Sequence, residues 1–210
     1  MNFGRVFLDA LFPITCVLCD RSGSGGLICN ECQNVSSQTI PFPLPSPLRE
    51  FRTLGRYDGP LGSLVRRAKY GRNVALLDEL GALLGRGMTG WSGVDAIIPV
   101  PSSMPRRIIR GFDHAFRLAR AASLVTMIPV ATPLRWSIPV RQVGRSASLR
   151  RTLSPSAMAS SESLSGMSIV VVDDVVTTGA TLRAAAAAAV AAGARSVRGM
   201  AVVHVEGKEI

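Results

Sequence analysis

The chain has 210 residues, 47% of them hydrophobic and 18% charged, with a formal net charge of +10. That is room for one substantial domain with at most a small appendage, and too much apolar material for a disordered tail. The longest run of small apolar residues, Ala184 to Ala194, lies between Arg183 and Arg195; it falls short of the ~20 residues that span a bilayer, so no membrane insertion is expected.

The first 40 residues carry every thiol: Cys16 and Cys19, a stretch with a Gly/Ser-rich centre (Ser22 to Gly26), then Cys29 and Cys32. Two C-x-x-C pairs at this separation form the knuckles of a four-thiolate site, in which tetrahedral Zn²⁺ replaces the core that so short a segment cannot build. Two disulfides or a redox dithiol are the other readings. Disulfides need an oxidising compartment, and Met1 to Asp9 places Asp9 where the apolar region of a secretion signal would continue. Structural zinc on Cys16, Cys19, Cys29 and Cys32 in a cytoplasmic protein is therefore expected. It has no catalytic role, because four thiolates leave no open coordination position. Pro41, Pro43, Pro45 and Pro47 follow at alternate positions. Proline cannot donate to a strand ladder, so residues 41–50 read as an extended linker between a knuckle module (1–40) and a main domain (51–210).

From Phe51 the pattern is α/β. Residues 51–57 read as a strand. Leu61, Leu64, Val65 and Ala68 set a helical stripe ending near Gly71; Val74, Leu76, Leu77, Leu80, Leu83 and Leu84 set another ending near Gly85 or Gly87. Val94 to Val100 reads as a short strand and Phe112 to Leu124 as a helix, with short strands at Met127 to Ala131 and Leu134 to Trp136. The Ser- and Arg-rich stretch Ser146 to Ser165 reads as a loop able to move. Ser168 to Val172 is a buried strand, Gly179 to Ala192 a helix closed by Gly193, and Val197 to Val203 a last strand. Buried strands alternating with helices predict a mostly parallel sheet covered on both faces.

Charge is concentrated between Pro101 and Ser160, where ten arginines (Arg106, Arg107, Arg110, Arg117, Arg120, Arg135, Arg141, Arg145, Arg150 and Arg151) stand against one acid, Asp113. Guanidinium forks bind phosphate oxygens in pairs and stay charged, so the block suits a small phosphorylated ligand or a nucleic acid. A plain solvated face is the other reading. With only Phe112, Phe116 and Trp136 as aromatics here, base stacking has little to use, and contact with single-stranded DNA is expected to run through phosphates alone.

The densest chemistry lies in Ile169 to Leu182. An apolar strand delivers Asp173 and Asp174 at its carboxyl end, where open α/β sheets place ligands. Thr177, Thr178, Gly179 and Thr181 then lead into a helix. Free backbone N–H groups and hydroxyls there form a cup for a phosphate, and Gly179 permits close backbone approach. The carboxylates suit sugar hydroxyls, and could help hold a hydrated Mg²⁺ whose other ligands come from the substrate. This order of residues resembles the phosphoribosyl pyrophosphate (PRPP) loop of type I phosphoribosyltransferases. The Gly-Lys-Ser/Thr of a Walker loop and a dinucleotide fingerprint are both absent.

Further segments extend the resemblance. Tyr57-Asp58-Gly59-Pro60-Leu61 with Ala68-Lys69-Tyr70-Gly71-Arg72, Ile98-Pro99-Val100-Pro101 with Arg106, Arg107 and Arg110-Gly111-Phe112, and Gln142 with Arg150-Arg151 are together similar to the ComF family of competence-related proteins. That family joins a four-cysteine zinc module to a phosphoribosyltransferase domain in this order. The resemblance implies a type I phosphoribosyltransferase-like fold that binds PRPP or ribose 5-phosphate with Mg²⁺ and transfers the phosphoribosyl group to a nitrogen base. It implies Asp173 and Asp174 as catalytic residues on the ribose hydroxyls, and Val175, Val176, Thr177, Thr178, Gly179, Ala180 and Thr181 around the 5′-phosphate. Pro99, Val100, Pro101 and Ser102 would begin a pyrophosphate loop ending at Ser103, with Lys69 or Arg110 near the departing pyrophosphate. The alternative it implies is a non-catalytic module for DNA uptake, with single-stranded DNA and a competence helicase as partners.

Two departures stand out. The family's usual Arg-Gly-Phe-Asn-Gln is here Arg110-Gly111-Phe112-Asp113-His114, and the Asn expected after the Arg pair is Thr152. Asp113 is expected to weaken anion binding nearby unless it pairs with Arg110 or Arg117. His114 is expected at the surface, at a helix start.

Overall fold

In the computed structural model, which describes residues 15–22, 26–43, 46–71, 73–102, 113–137 and 153–206, helices and strands alternate. Along the chain come α1 (Asn30–Ser36), β1 (Ile40–Pro41), β2 (Glu50–Arg56), α2 (Pro60–Tyr70), α3 (Val74–Gly87), β3 (Ala96–Pro99) and α4 (His114–Thr126). They are followed by β4 (Leu134–Trp136), β5 (Met158–Ser160), β6 (Ser168–Val176), α5 (Ala180–Ala191) and β7 (Ser196–His204).

The main sheet has the order β1-β2-β7-β6-β3. Its inner pairs are parallel and only the edge strand β1 runs antiparallel, to β2. Successive side chains on a strand point to opposite faces, and β6 shows why both faces must be covered. Val170 and Val172 enter a cluster with Leu64 of α2, Leu80 of α3 and Leu118 of α4, whereas Ile169 and Val171 pack with Leu182, Ala185 and Ala189 of α5. The expected architecture, a mostly parallel sheet with helices on both faces, is the one observed. α3 and α4 approach closely because Gly81 and Gly85 face the partner helix. A Cβ at Gly81 would stand 2.6 Å from that of Ala121, and one at Gly85 would stand 2.9 Å from the Ala122 carbonyl oxygen.

Three segments differ from their sequence pattern. Met127 to Ala131 is not a strand. α4 runs to Thr126 and closes on Met127 in the left-handed conformation (φ 59°), and only Val130 bridges to Ile97. The stretch read as a loop from Ser146 to Ser165 carries, in its described part, a 3-10 turn at Pro155–Ala157 and then β5, which pairs with β4 through Trp136↔Met158. Ala157 and Met158 are buried against α5 residues, and so short an apolar insert leaves no period to detect. Pro41 belongs to a strand: Ile40 pairs with Thr53 and Pro41 with Arg52, and the Phe42 N–H donates to the Phe51 carbonyl at 3.0 Å. An edge strand tolerates a proline whose missing donor faces no partner.

The cysteine knuckle sits on this core. Cys16, Ile28 and Cys29 are buried in the same apolar cluster as Leu76, Leu77 and Leu80 of α3. Among the described residues no helix is long and apolar enough to cross a membrane.

Candidate functional site

β6 runs beyond Val172, where the apolar run stops, through Asp173, Asp174, Val175 and Val176, so the two carboxylates lie within its last four residues, and strand alternation gives them different surroundings. Asp173 is half-buried, and its Oδ1 accepts the Asp174 backbone N–H at 2.8 Å. Asp174 is buried on the α2/α4 face, where Lys69 Nζ lies 2.8 Å and His114 Nδ1 3.7 Å from its Oδ2. Burial pushes the Asp174 carboxyl up, but the Lys69 charge and the His114 contact outweigh it and hold the carboxyl well below the usual range. Lys69, expected from the sequence near a departing pyrophosphate, has its ammonium on Asp174.

His114 is a correction. It is 2% exposed rather than at the surface, because the first turn of α4 abuts the carboxyl end of β6. A helix-start position looks solvated in sequence, and no local signal announces that another element covers it.

The Thr-rich turn lies directly beyond. Val176 is buried; Val175, Thr177, Thr178 and Thr181 are half-buried. Gly179 has φ 67° and forms the N-cap of α5, a backbone that side chains disfavour. The Ala180 N–H donates to Thr178 Oγ1 at 3.5 Å, and the N–H groups at such a helix start have no intrahelical acceptor. Arg183, one turn into α5, donates through Nη1 to the Thr178 carbonyl at 2.9 Å. The sequence reading passed over this arginine, although its position four residues after Gly179 on the helix was a usable signal.

The segment Pro99–Ser102 leaves β3 beside β6. Pro99 pairs with Val172, and the Val100 N–H donates to the Val172 carbonyl at 2.9 Å. The Trp136 indole N–H donates to the Pro101 carbonyl at 2.8 Å, tying β4 to this segment. The Ser102 N–H donates to Asp113 Oδ2 at 3.3 Å. Asp113 is thus engaged with backbone, and its other oxygen caps α4 by accepting the Phe116 N–H. Arg117, one of its two expected partners, forms instead a two-pronged pair with Asp78 at 2.5 and 2.6 Å. Arg110 lies outside the described residues, as do Ser103, Thr152 and six more of the ten arginines of the basic block. Of the remainder, Arg120 and Arg135 are exposed.

The four cysteines converge. Their Sγ atoms all lie within 4.8 Å of one another, and those of Cys19 and Cys29 are 3.8 Å apart. A tetrahedron with Zn–S bonds of ~2.3 Å has edges of about 3.8 Å, which the Cys19–Cys29 pair matches, so the group could hold a metal ion such as Zn²⁺. Burial disfavours the Cys16 thiolate, but N–H donors, that of Cys29 among them, prevail and lower its pKa to about 6. Burial and the neighbouring thiols push Cys32 up to about 12. Four crowded sulfurs cannot all ionise without a cation between them.

Residues 137–209 match the family described as the phosphoribosyl transferase domain. The DNA utilization protein YhgH of Salmonella typhi is 30% identical over 185 residues, covering 84% of this chain and 78% of that protein. Its Escherichia coli K12 counterpart is 27% identical over 197 residues, covering 87% of each. Among solved structures, the adenine phosphoribosyltransferase of Leishmania tarentolae superposes with a TM-score of 0.43 at 13% identity, over 86% of this chain and 89% of that one.

Proposed function

This chain belongs to the ComF family, that of the DNA utilization protein YhgH, and carries a phosphoribosyl transferase domain; from that premise we propose that it binds PRPP, with ribose 5-phosphate as the minimal ligand, and transfers the phosphoribosyl group to a nitrogen base. The observation that carries this reading is the adjacency of an ionised, buried Asp174 to a Thr-Thr-Gly helix start, both at the carboxyl end of β6. A carboxylate there accepts sugar hydroxyls, and the amides of Gly179 and Ala180 with the hydroxyls of Thr177, Thr178 and Thr181 receive the 5′-phosphate.

In this reading Pro99–Ser102 begin the pyrophosphate loop, and Lys69 or Arg110 serves the departing pyrophosphate. As the bond from C1 of the ribose to the pyrophosphate oxygen breaks, positive charge grows on the sugar and negative charge on the departing group. Asp173 and Asp174 stabilise the first, and backbone amides with arginine the second. Mg²⁺ enters as the counter-ion of the ligand's own pyrophosphate. The cysteine cluster holds Zn²⁺ as a structural ion in a cytoplasmic protein.

Calorimetry with PRPP and with ribose 5-phosphate tests the reading. Binding of both, with PRPP the tighter when Mg²⁺ is present, is expected. A folded protein that ignores both at millimolar concentration overturns it.

A second reading, contact with single-stranded nucleic acid, is favoured by the ten arginines against one acid between Pro101 and Ser160. Phosphate contacts release counterions, so affinity falls steeply with salt. Replacing Arg145, Arg150 and Arg151 by Ala should flatten that dependence. An unchanged slope leaves the block a solvated face.

A further inference from the structure

We propose that Lys69 is the standing counter-cation of Asp174 and takes the place a divalent metal would occupy there, so that the pentose phosphate half of the ligand binds without metal. The inference rests on the PRPP reading and deepens it.

Three observations carry it. First, the Lys69 and Asp174 side chains are 16% and 12% exposed and meet at 2.8 Å, with His114 Nδ1 at 3.7 Å from the same carboxylate oxygen. A Mg²⁺ ion on that oxygen, at ~2.1 Å, would share it with an ammonium group and keep few of the waters it prefers. Two like charges would then stand a few ångströms apart where little solvent screens them.

Second, Lys69 cannot withdraw cheaply. Its neighbour Ala68 is fully buried in the last turn of α2, and departure of the ammonium would leave a buried carboxylate uncompensated.

Third, the two adjacent carboxylates do not converge on one cation. Asp173 and Asp174 alternate across β6, and Asp173 Oδ1 is engaged by the Asp174 N–H. The ribose hydroxyls therefore meet a carboxylate whose charge the chain itself has balanced, while its oxygens still accept hydrogen bonds. Dependence on metal then resides in the pyrophosphate.

The test is calorimetry on the full, zinc-loaded chain, with ribose 5-phosphate and with PRPP, without added Mg²⁺ and with millimolar Mg²⁺. Wild type and Lys69→Arg should bind ribose 5-phosphate with an affinity that Mg²⁺ changes less than about twofold, whereas PRPP binding should strengthen with the metal. Lys69→Gln removes the charge and opens the position. Its ribose 5-phosphate affinity should fall about tenfold or more without Mg²⁺ and recover when Mg²⁺ is added. Circular dichroism checks that the variants are folded. If Lys69→Gln does not fold, the wild-type and Lys69→Arg titrations still decide. A large gain of ribose 5-phosphate affinity with Mg²⁺ in wild type overturns the proposal, as does a folded Lys69→Gln that remains insensitive to Mg²⁺. Wild type that binds neither ligand overturns the PRPP reading itself, and this inference with it.

Discussion

Asp113 holds the Ser102 amide: its Oδ2 accepts that N–H at 3.3 Å while its Oδ1 accepts the Phe116 N–H at 3.2 Å. One carboxylate thereby fastens the segment after β3 to the start of α4. An anion approaching Pro99–Ser102 meets a negative charge already occupying a backbone donor. Asp113→Asn keeps an oxygen for the cap and removes the charge, so inorganic pyrophosphate should bind several-fold more tightly with little change in stability. Asp113→Ala should instead cost about 1 kcal/mol, the usual worth of a lost cap. Titration with pyrophosphate and urea denaturation check both. An Asn variant that binds pyrophosphate no better than wild type would refute the competition.

The Thr-rich turn should fail in graded steps. Thr178→Ala removes one hydroxyl and should cost ~1–3 kcal/mol of ribose 5-phosphate binding, because backbone amides remain. Gly179→Val should be worst, since φ 67° is a backbone that a β-branched residue resists and the side chain would enter the phosphate position. Calorimetry on folded variants ranks them. A Gly179→Val protein binding like wild type would remove the turn from the site.

Metal removal should be felt beyond the knuckle. Each chain should hold one Zn²⁺, measurable by elemental analysis of protein purified under reducing conditions; its absence rejects the assignment. Because Cys16, Ile28 and Cys29 share a core with Leu76, Leu77 and Leu80, Cys29→Ser should speed amide exchange in α3 while β6 stays protected. Exchange unchanged in α3 would show the knuckle to be energetically separate.

Acid should expose the Asp174 pair. The folded carboxyl titrates at about 2, below its ordinary 3.8, chiefly because the Lys69 charge outweighs the cost of burial. A depressed carboxyl adds stability that is complete above its unfolded pKa and is lost as pH falls through the folded one. Wild type should therefore exceed Asp174→Asn by a constant margin above about pH 4, and the margin should shrink toward about pH 2. Urea denaturation across that range reads it. A margin that does not vary with pH would mean that Asp174 is not held ionised by its neighbours.

The features legible in the sequence are those written in short range. Paired C-x-x-C spacing located the four sulfurs now found together. Apolar runs and helical stripes located the central strands and the four long helices to within a few residues, and Asp173 to Thr181 marked the carboxyl end of β6 as the place for chemistry. What only the tertiary structure decided is which distant groups meet there. Lys69 arrives from the end of α2 and His114 from the start of α4, and both converge on Asp174 of β6. Nothing near any of the three in sequence encodes that meeting, because it depends on how two helices pack across a sheet face. Asp113 likewise looked like an obstacle to anions beside arginines, and its role as a backbone acceptor required the segment after β3 to pass α4. Strand β5 was hidden for a related reason. Three residues leave no period, and its order comes from pairing with β4 and packing on α5 rather than from its own pattern.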